Sequence, residues 1–474
     1  MISQGKFQLV LVFAVFLYAG VAKAATATVD FSKTNQVIDG FGGSSAWCGA
    51  YTDATADALF GNDSNQIGLT ILRLRIDPKN SWATEKNNAT KAKARGATVF
   101  ATPWSPPESL TTTGVTIKGY INTAKFASFA AWMKSFWTYC GSANVDIMSI
   151  ENEPDYAQSI NYEGCTWTAQ NFLDFCKTYA PAIGKPIMMP ESMNYNLTLS
   201  DATLNDATAA ANVTYIGGHF YGGTPTKKYT LAINLKKHIW ETEHYYTGDG
   251  ASSCMSEAKE IMDCLNNLDF NAYVWWWMTY SSSEGLYYNG SITHRGWVLC
   301  QFSKWVRPGY YRVDATYNPQ SGVYVVAFKG DSNVVVAMNN SSSSQSVTFT
   351  YSGATVTSVH KYTSSQSKSG ASDGSMTASN NSYTTTLDAQ SVTTFVSTGT
   401  GVGVTPFEGE YGRNALNKPL RAAQSYSTTY YLLNGKRLNL PAFEMGSRAA
   451  GIFVMPGNVK VGIEAGKQLY DSKK

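Results

Sequence analysis

Two glutamates in this chain stand where paired acid chemistry needs them. Glu153 lies in Asn152-Glu153-Pro154, just after the apolar run 145–150, and Glu243 lies in Trp240-Glu241-Thr242-Glu243-His244-Tyr245. They are 90 residues apart in the sequence. Two carboxyl groups facing each other across a pocket can hydrolyse a glycosidic bond: one, protonated, assists the departing oxygen, and the other, ionised, attacks the anomeric carbon. Most glutamates are solvated surface carboxylates; these two differ because each closes an apolar, strand-like segment. Other residues at segment ends suit a sugar site. Trp104, in Thr102-Pro103-Trp104-Ser105-Pro106-Pro107, can wall the apolar face of a pyranose. The run Trp275-Trp276-Trp277 alternates direction along its strand, so one or two of its rings face the same mouth; Trp275 and Trp276 are the candidates. His219 and Tyr221 close the segment before that of Glu243, where a Tyr hydroxyl can hold that carboxylate in place. Glu191 and Glu241 also fall at segment ends, and neither is assigned a catalytic role.

The elements that must position these groups follow from hydrophobic periodicity. Short apolar runs at 38–45, 69–77, 98–104, 145–151, 186–191, 213–221, 238–243 and 273–278 alternate with amphipathic stretches such as 126–139 and 169–179. Eight strands alternating with helices over about 250 residues is the profile of a (β/α)8 barrel, whose functional groups stand at the C-terminal strand ends. Glu153 then closes strand four and Glu243 strand seven, since three βα units of roughly 30 residues each span the distance between them. An open doubly wound sheet would carry a G-x-G-x-x-G turn after its first strand, and Asp39-Gly40-Phe41-Gly42-Gly43 lacks that spacing. After Arg307-Pro308-Gly309, β-branched segments at 323–328, 334–338, 347–351, 355–362 and 391–396 are split by Ser, Asn and Gly clusters and read as a side β-sandwich. Segment 26–31 alternates in the same way and is expected to pair with it. The expected organisation is a leader over 1–24, a sandwich-pairing strand over 25–37, the barrel over 38–305, the sandwich over 306–398, and a linker with a basic tail over 399–474.

Composition narrows the function classes. Charged residues are 15% and aromatics 13%, with 12 Trp and 29 Tyr, which excludes an intrinsically disordered chain. A net charge of +3 creates no field that recruits nucleic acid. A surface rich in Tyr, Trp, Ser, Thr and Asn suits a neutral polar partner, namely polysaccharide. Lys6, the apolar run 9–18 and Ala22-Lys23-Ala24 make an export signal, and that run is well short of the roughly 20 residues a membrane span requires. Seven cysteines would then meet an oxidising compartment, with Cys165/Cys176 and Cys254/Cys264 as candidate local bridges. No C-x-x-C pair and no H-E-x-x-H occurs, so neither a metal nor another cofactor is expected. The protein is expected to act as a monomer.

The motifs together carry a resemblance. Asp39-Gly40-Phe41-Gly42-Gly43, Thr102-Pro103-Trp104-Ser105-Pro106-Pro107, Asn152-Glu153-Pro154-Asp155-Tyr156, Gly218-His219-Phe220-Tyr221-Gly222, Trp240-Glu241-Thr242-Glu243-His244-Tyr245 and Tyr273-Val274-Trp275-Trp276 follow one another in order, ahead of Arg307-Pro308-Gly309-Tyr310 and Gln390-Ser391-Val392-Thr393-Thr394-Phe395. Over roughly residues 28–397 the chain resembles glycoside hydrolase family 30, and within it the bacterial xylanases of subfamily 8. The resemblance implies a barrel fused to a side β-sandwich, endo-cleavage of β-1,4-xylan and retention of anomeric configuration. It makes Glu153 the acid/base and Glu243 the nucleophile, and it places Asn152 on the sugar 2-hydroxyl.

One departure stands out. Most of the subfamily resembles glucuronoxylanases, which read a glucuronate branch through an arginine shortly after the strand-eight Trp pair. That position falls here at about Thr279 or Tyr280, in Met278-Thr279-Tyr280-Ser281-Ser282-Ser283-Glu284, which contains no Arg or Lys. Neither Thr nor Tyr replaces a bidentate, charge-assisted carboxylate contact, so weak or absent dependence on glucuronate is expected. Tyr245 resembles a uronate contact of the family and leaves room for a residual preference. The alternatives are a glucuronoxylan-specific enzyme reading the uronate by other residues, a β-1,6-glucanase or β-1,6-galactanase of the same family, and a non-catalytic carbohydrate-binding protein on the same scaffold. In the tail, Tyr431-Leu432-Leu433-Asn434-Gly435-Lys436-Arg437-Leu438 and Ala450-Gly451-Ile452-Phe453-Val454 resemble C-terminal sorting domains of type IX secretion cargo. A basic adhesive tail is the other reading.

Overall fold

The computed structural model describes residues 24–397 and short strands between 430 and 469. Residues 1–23 of the expected leader, and most of the tail with its sorting-domain resemblance, lie outside the described residues. Eight parallel strands close into a barrel: Gly40–Ser44, Ile71–Ile76, Thr98–Pro103, Ile147–Ser149, Ile187–Ser192, Tyr215–His219, His238–His244 and Ala272–Trp277. A helix or helix pair follows each of them, from Asp53–Phe60 after the first to His294–Ser303 after the eighth. The fold is therefore the (β/α)8 barrel with a side β-sandwich that the sequence implies.

Parallel strands covered by helices are buried on both faces and need apolar residues at nearly every position. Ile71, Phe100, Ile147, Met188, Tyr215, Trp240, Ala272 and Val274 fill the barrel interior. The alternate positions, among them Leu72, Leu74, Val99, Ala101, Met148, Tyr273 and Trp275, pack outward against the helices. The first strand stays close to the second only because it is Gly-rich. A Cβ at Gly42 would stand 2.2 Å from the Ile71 carbonyl oxygen.

The side β-sandwich is one nine-stranded sheet folded over itself. The strand Ala25–Val37 sits within it, antiparallel to Tyr311–Ala315 and parallel to Gln345–Ser352. Phe349 lies on Gln345–Ser352 and Phe395 on Ser391–Ser397, five strands away in the sheet order. A flat sheet would hold them roughly 24 Å apart at about 4.8 Å per strand, yet their ring centroids are 5.0 Å apart. The sandwich is joined to the barrel through the last helix: Gln301 Nε2 donates to Ser364 Oγ at 2.7 Å, and Thr394 Oγ1 donates to the Gln301 carbonyl at 2.7 Å.

The expected disulfides do not form; all seven cysteines are free. Cys254 and Cys264 share the helix Ala251–Asn267. Ten residues at 1.5 Å each put their Cα atoms about 15 Å apart, roughly twice the bridging limit. Cys176 turns its thiol to Met189, 4.0 Å away, and Cys165 sits in a separate two-residue strand. Among the described residues no helix is long and apolar enough to cross a membrane.

The tight approach of the first two strands is testable. Gly42→Ala must displace Ile71 backbone, and overpacking of this kind costs about 1–3 kcal/mol. Urea unfolding should show a lower midpoint with an unchanged slope; an unaltered midpoint would remove the close approach as a constraint.

Candidate active site

Strict alternation along a strand would send Glu243 to the same face as Glu241, outward. The seventh strand avoids this with a bulge, because its register against both neighbours shifts just after Glu241, and a bulge re-aims the side chains that follow it. The buried Glu241 carboxyl holds the bulge by accepting hydrogen bonds from the Glu243 N–H at 2.8 Å and the Val274 N–H at 3.2 Å. Glu153 and Glu191 are aimed by another device. Both have left-handed backbones, with φ of 44° and 48°, a conformation costing on the order of 1 kcal/mol or more for a non-glycine residue. The Glu153 N–H donates to the Glu191 carbonyl at 2.9 Å, which ties the two irregular strand ends together.

Arg73, fully buried on the second strand, links what these distortions bring together. Its guanidinium donates a short hydrogen bond to Glu243 Oε2, donates to Asn152 Oδ1 at 2.6 Å, and lies 2.9 Å from Glu191 Oε2. Its Cζ lies over the Trp104 ring, 4.5 Å from the ring centre. Because Asn152 Oδ1 is taken by Arg73, Nδ2 is the atom of that amide free to donate to a ligand. Tyr221 donates to the other oxygen of Glu243 at 2.8 Å.

His219 is enclosed by three carboxylates. Nδ1 is 2.9 Å from Glu153, and Nε2 is 3.6 Å from Glu191 and 3.9 Å from Glu243. Burial alone would strip its proton, but Glu243, Glu153 and Glu191 hold the imidazolium and move its pKa up to about 10. Burial likewise works against the Glu191 anion, yet Arg73 and His219 hold it at about 2. Burial raises the Glu243 carboxyl, with His219 and Arg73 pulling the other way. An oxygen of Glu153, an oxygen of Glu243 and a ring nitrogen of His219 all lie within 4.8 Å of one another. Such a trio has metal-ligand spacing, and a His219 nitrogen would have to give up its proton to coordinate a cation.

Aromatic rings build one wall of the mouth. Trp276 faces inward, 5.6 Å from Trp104, and Trp47 meets both rings edge-on. A second register shift, between Trp275 and Trp277, turns Trp277 onto Trp276 at 4.9 Å. Tyr280 then stacks on Trp277 at 4.0 Å. Trp47 and Tyr280 are 46% and 53% exposed, so the wall continues outward as open ring surface. Tyr245 stands 6.0 Å from Tyr221 and 6.3 Å from Trp277. Trp275, expected as a substrate contact, does not join them, because it is fully buried on the outer face of its strand. It faces the helix layer, donating to the Glu284 carbonyl at 2.7 Å beneath the Arg295 guanidinium.

Sequence reasoning brings Glu153, Glu243, Asn152, Trp104, His219, Tyr221, Tyr245 and Trp276 to one mouth. It names Glu191, Trp277 and Tyr280 without giving them a place in the site, and it misses Arg73, Trp47 and Tyr162, whose hydroxyl lies 3.4 Å from Glu153 Oε2. Arg73 was findable: in Ile71-Leu72-Arg73 it falls in step with an interior position, where an unpaired charge is not tolerated.

Known proteins share this arrangement of barrel and sandwich. No protein-family model matches the chain. It is 37% identical over 396 residues to glucuronoxylanase XynC of Bacillus subtilis strain 168, covering 79% of this chain and 92% of that protein. It superposes on the glycoside hydrolase family 30 subfamily 8 xylanase Xyn30A of Clostridium acetobutylicum with a TM-score of 0.75 and 42% identity, over 79% of this chain and 99% of the other. The chain belongs to glycoside hydrolase family 30, subfamily 8. A second family 30 enzyme, the endoxylanase of Clostridium papyrosolvens C71, superposes with a TM-score of 0.74 at 37% identity, over 79% of this chain and all of the other. The family 30 region thus spans the barrel and the side β-sandwich, where the whole site lies.

The Tyr221 bond to Glu243 gives a direct test. A hydrogen bond to a charged group contributes about 1.5–3 kcal/mol. Tyr221→Phe should therefore lower kcat about 10- to 100-fold with little change in KM, as measured by reducing-end release; a change confined to KM would place the hydroxyl on substrate instead.

Proposed function

We propose that this chain is a retaining endo-β-1,4-xylanase that depends weakly or not at all on glucuronate branches. The observation that carries the reading is the 4.8 Å limit on the spacing of Glu153 and Glu243. Retention uses carboxyl groups about 5 Å apart, whereas inversion leaves room for a water between them. Names borne by the relatives, glucuronoxylanase for one and xylanase or endoxylanase for the others, support xylan as the polymer.

In this reading Glu243 attacks the anomeric carbon. Arg73 and Tyr221, one on each oxygen, favour its ionised form and fix its direction. Glu153 protonates the departing oxygen, and the glycosidic bond breaks as the xylosyl–Glu243 ester forms. Glu153, now ionised, takes a proton from water as that water attacks the ester, which frees Glu243 and restores the acid. Asn152 Nδ2 donates to the 2-hydroxyl of the sugar held by Glu243. Trp104 and Trp276 line the aromatic wall beside Arg73, and Tyr245 lines the mouth next to Tyr221.

The end of the eighth strand supports indifference to glucuronate. Thr279 lies beside the Cys48 thiol, and the Tyr280 ring is committed to Trp277. The charge in this loop is negative: Glu284, held by the Ser281 hydroxyl at 2.5 Å, is close enough to Tyr245 to reinforce the effect of burial in raising that hydroxyl's pKa. An anion there opposes a uronate rather than binding it. Export by the first 24 residues would bring the enzyme to its polymer.

Digestion of glucuronoxylan and unbranched β-1,4-xylan in parallel tests the specificity. Initial rates within a few-fold of each other and a spread of linear oligomers are expected; a large preference for glucuronoxylan with regularly branched products would overturn it. Glu153→Gln and Glu243→Gln should each lower kcat by at least about 10³-fold, the loss expected when a group of the reacting pair is removed. Product NMR should show the β-anomer first, and an initial α-anomer would exclude retention.

A further inference from the structure

We propose that Glu191 is a positioning residue, a third carboxylate whose fixed negative charge leaves the mouth electrically balanced when Glu153 carries a proton and Glu243 does not. The proposal rests on the acid and nucleophile roles given to Glu153 and Glu243.

The geometry makes Glu191 a permanent part of the charge arrangement. Its side chain is fully buried. One oxygen accepts from the Thr102 hydroxyl at 2.6 Å, and the other faces Arg73 at 2.9 Å and His219 Nε2 at 3.6 Å. Its carbonyl receives the Glu153 N–H, so side chain and backbone serve different parts of the site. Two cations, Arg73 and His219, and two anions, Glu191 and Glu243, cancel. Any charge on Glu153 is then a surplus in a buried setting where unpaired charge is disfavoured.

The remaining groups around the cluster do not upset this balance. Glu153 is faced by His219 and the Tyr162 hydroxyl, and Glu243 by Arg73, His219 and the Tyr221 hydroxyl. Ser149, on the fourth strand, adds a neutral hydroxyl toward Glu191. Glu151 and Glu241 come from the same strands as Glu153 and Glu243, but their carboxyls turn to the Trp167 indole N–H and to backbone N–H groups. Burial pushes both carboxyls well above the usual range, which favours their neutral forms. Without Glu191, the protonated form of Glu153 would sit in a cluster with one excess positive charge, and loss of its proton would become easier.

The sign follows directly. A neighbouring anion opposes loss of a carboxyl's proton, so removing the Glu191 charge lets the acid be lost more easily and brings the alkaline fall in activity to lower pH. In the full chain, Glu191→Gln should shift the alkaline limb of kcat/KM on unbranched xylan by about one pH unit toward acid. That is about a tenfold lower rate at pH values above both limbs. KM should change by less than about twofold, and Glu191→Asp, which keeps the charge, should leave the limb in place. A Gln variant with an unmoved limb overturns the proposal, since a purely packing role would lower stability or kcat without shifting the profile. If the Gln variant does not fold, ¹⁵N NMR of the His219 ring in the unsubstituted protein decides. A ring doubly protonated at pH 8 supports the charge balance, and one that titrates below pH 7 overturns it. Glu153→Gln and Glu243→Gln serve as controls. If both are inactive while the Glu191→Gln limb is unmoved, only the role of Glu191 fails; if either retains full activity, the acid–nucleophile assignment fails and the role of Glu191 with it.

Discussion

The site is organised around a buried guanidinium. Arg73 reaches Glu243, Asn152 and Glu191 with its nitrogens and lies over the Trp104 ring. Removing a charged group from water costs several kcal/mol even after relaxation, and is tolerated only when partners satisfy it closely. That requirement runs both ways here. Arg73 would be untenable without the carboxylates, and Glu191 and Glu243 would repel one another without Arg73 and His219 between them. Each group is fixed by the others, so in the proposed mechanism the carboxyls are placed before any substrate arrives.

The barrel supplies rigidity, and its local irregularities supply aim. An ideal strand offers one inward side chain in every two, too few to bring Asn152, Glu153, Glu191 and Glu243 to one mouth. The chain departs from ideality at each of these strand ends: left-handed backbones at Glu153 and Glu191 and a bulge after Glu241. A further register shift turns Trp277 onto the wall that Trp276 begins. The regular part of each strand packs Phe100, Trp240 and their neighbours and anchors the strained part. Strain of this kind persists where the surrounding structure over-determines it.

The split between what the sequence made legible and what it concealed follows the same line. Strands buried on both faces announce themselves as apolar runs, so all eight barrel strands, and the polar residues closing them, could be read in order. The two glutamates stood out because their segments end where a barrel places its chemistry. Residues whose position depends on a departure from periodicity were harder to see: Glu191 looked like an unassigned strand end, and Trp275 looked equivalent to Trp276. Tertiary proximity decided the cysteines, since nearness in sequence along one helix keeps Cys254 and Cys264 apart. Arg73 was legible on parity alone, but its partners lie on or just past four other strands that only the closed ring brings together.

The placement of the strand Ala25–Val37 has a consequence for how the molecule is made. Its two neighbours, Tyr311–Ala315 and Gln345–Ser352, emerge some 280 to 320 residues later, after the whole barrel. At about 5–20 residues per second of synthesis, the strand waits on the order of 15 to 60 seconds with both edges unpaired. Its alternating sequence is a template for strand addition during that interval. A barrel can close behind it, but this strand, made before the barrel, is satisfied only by strands made after it.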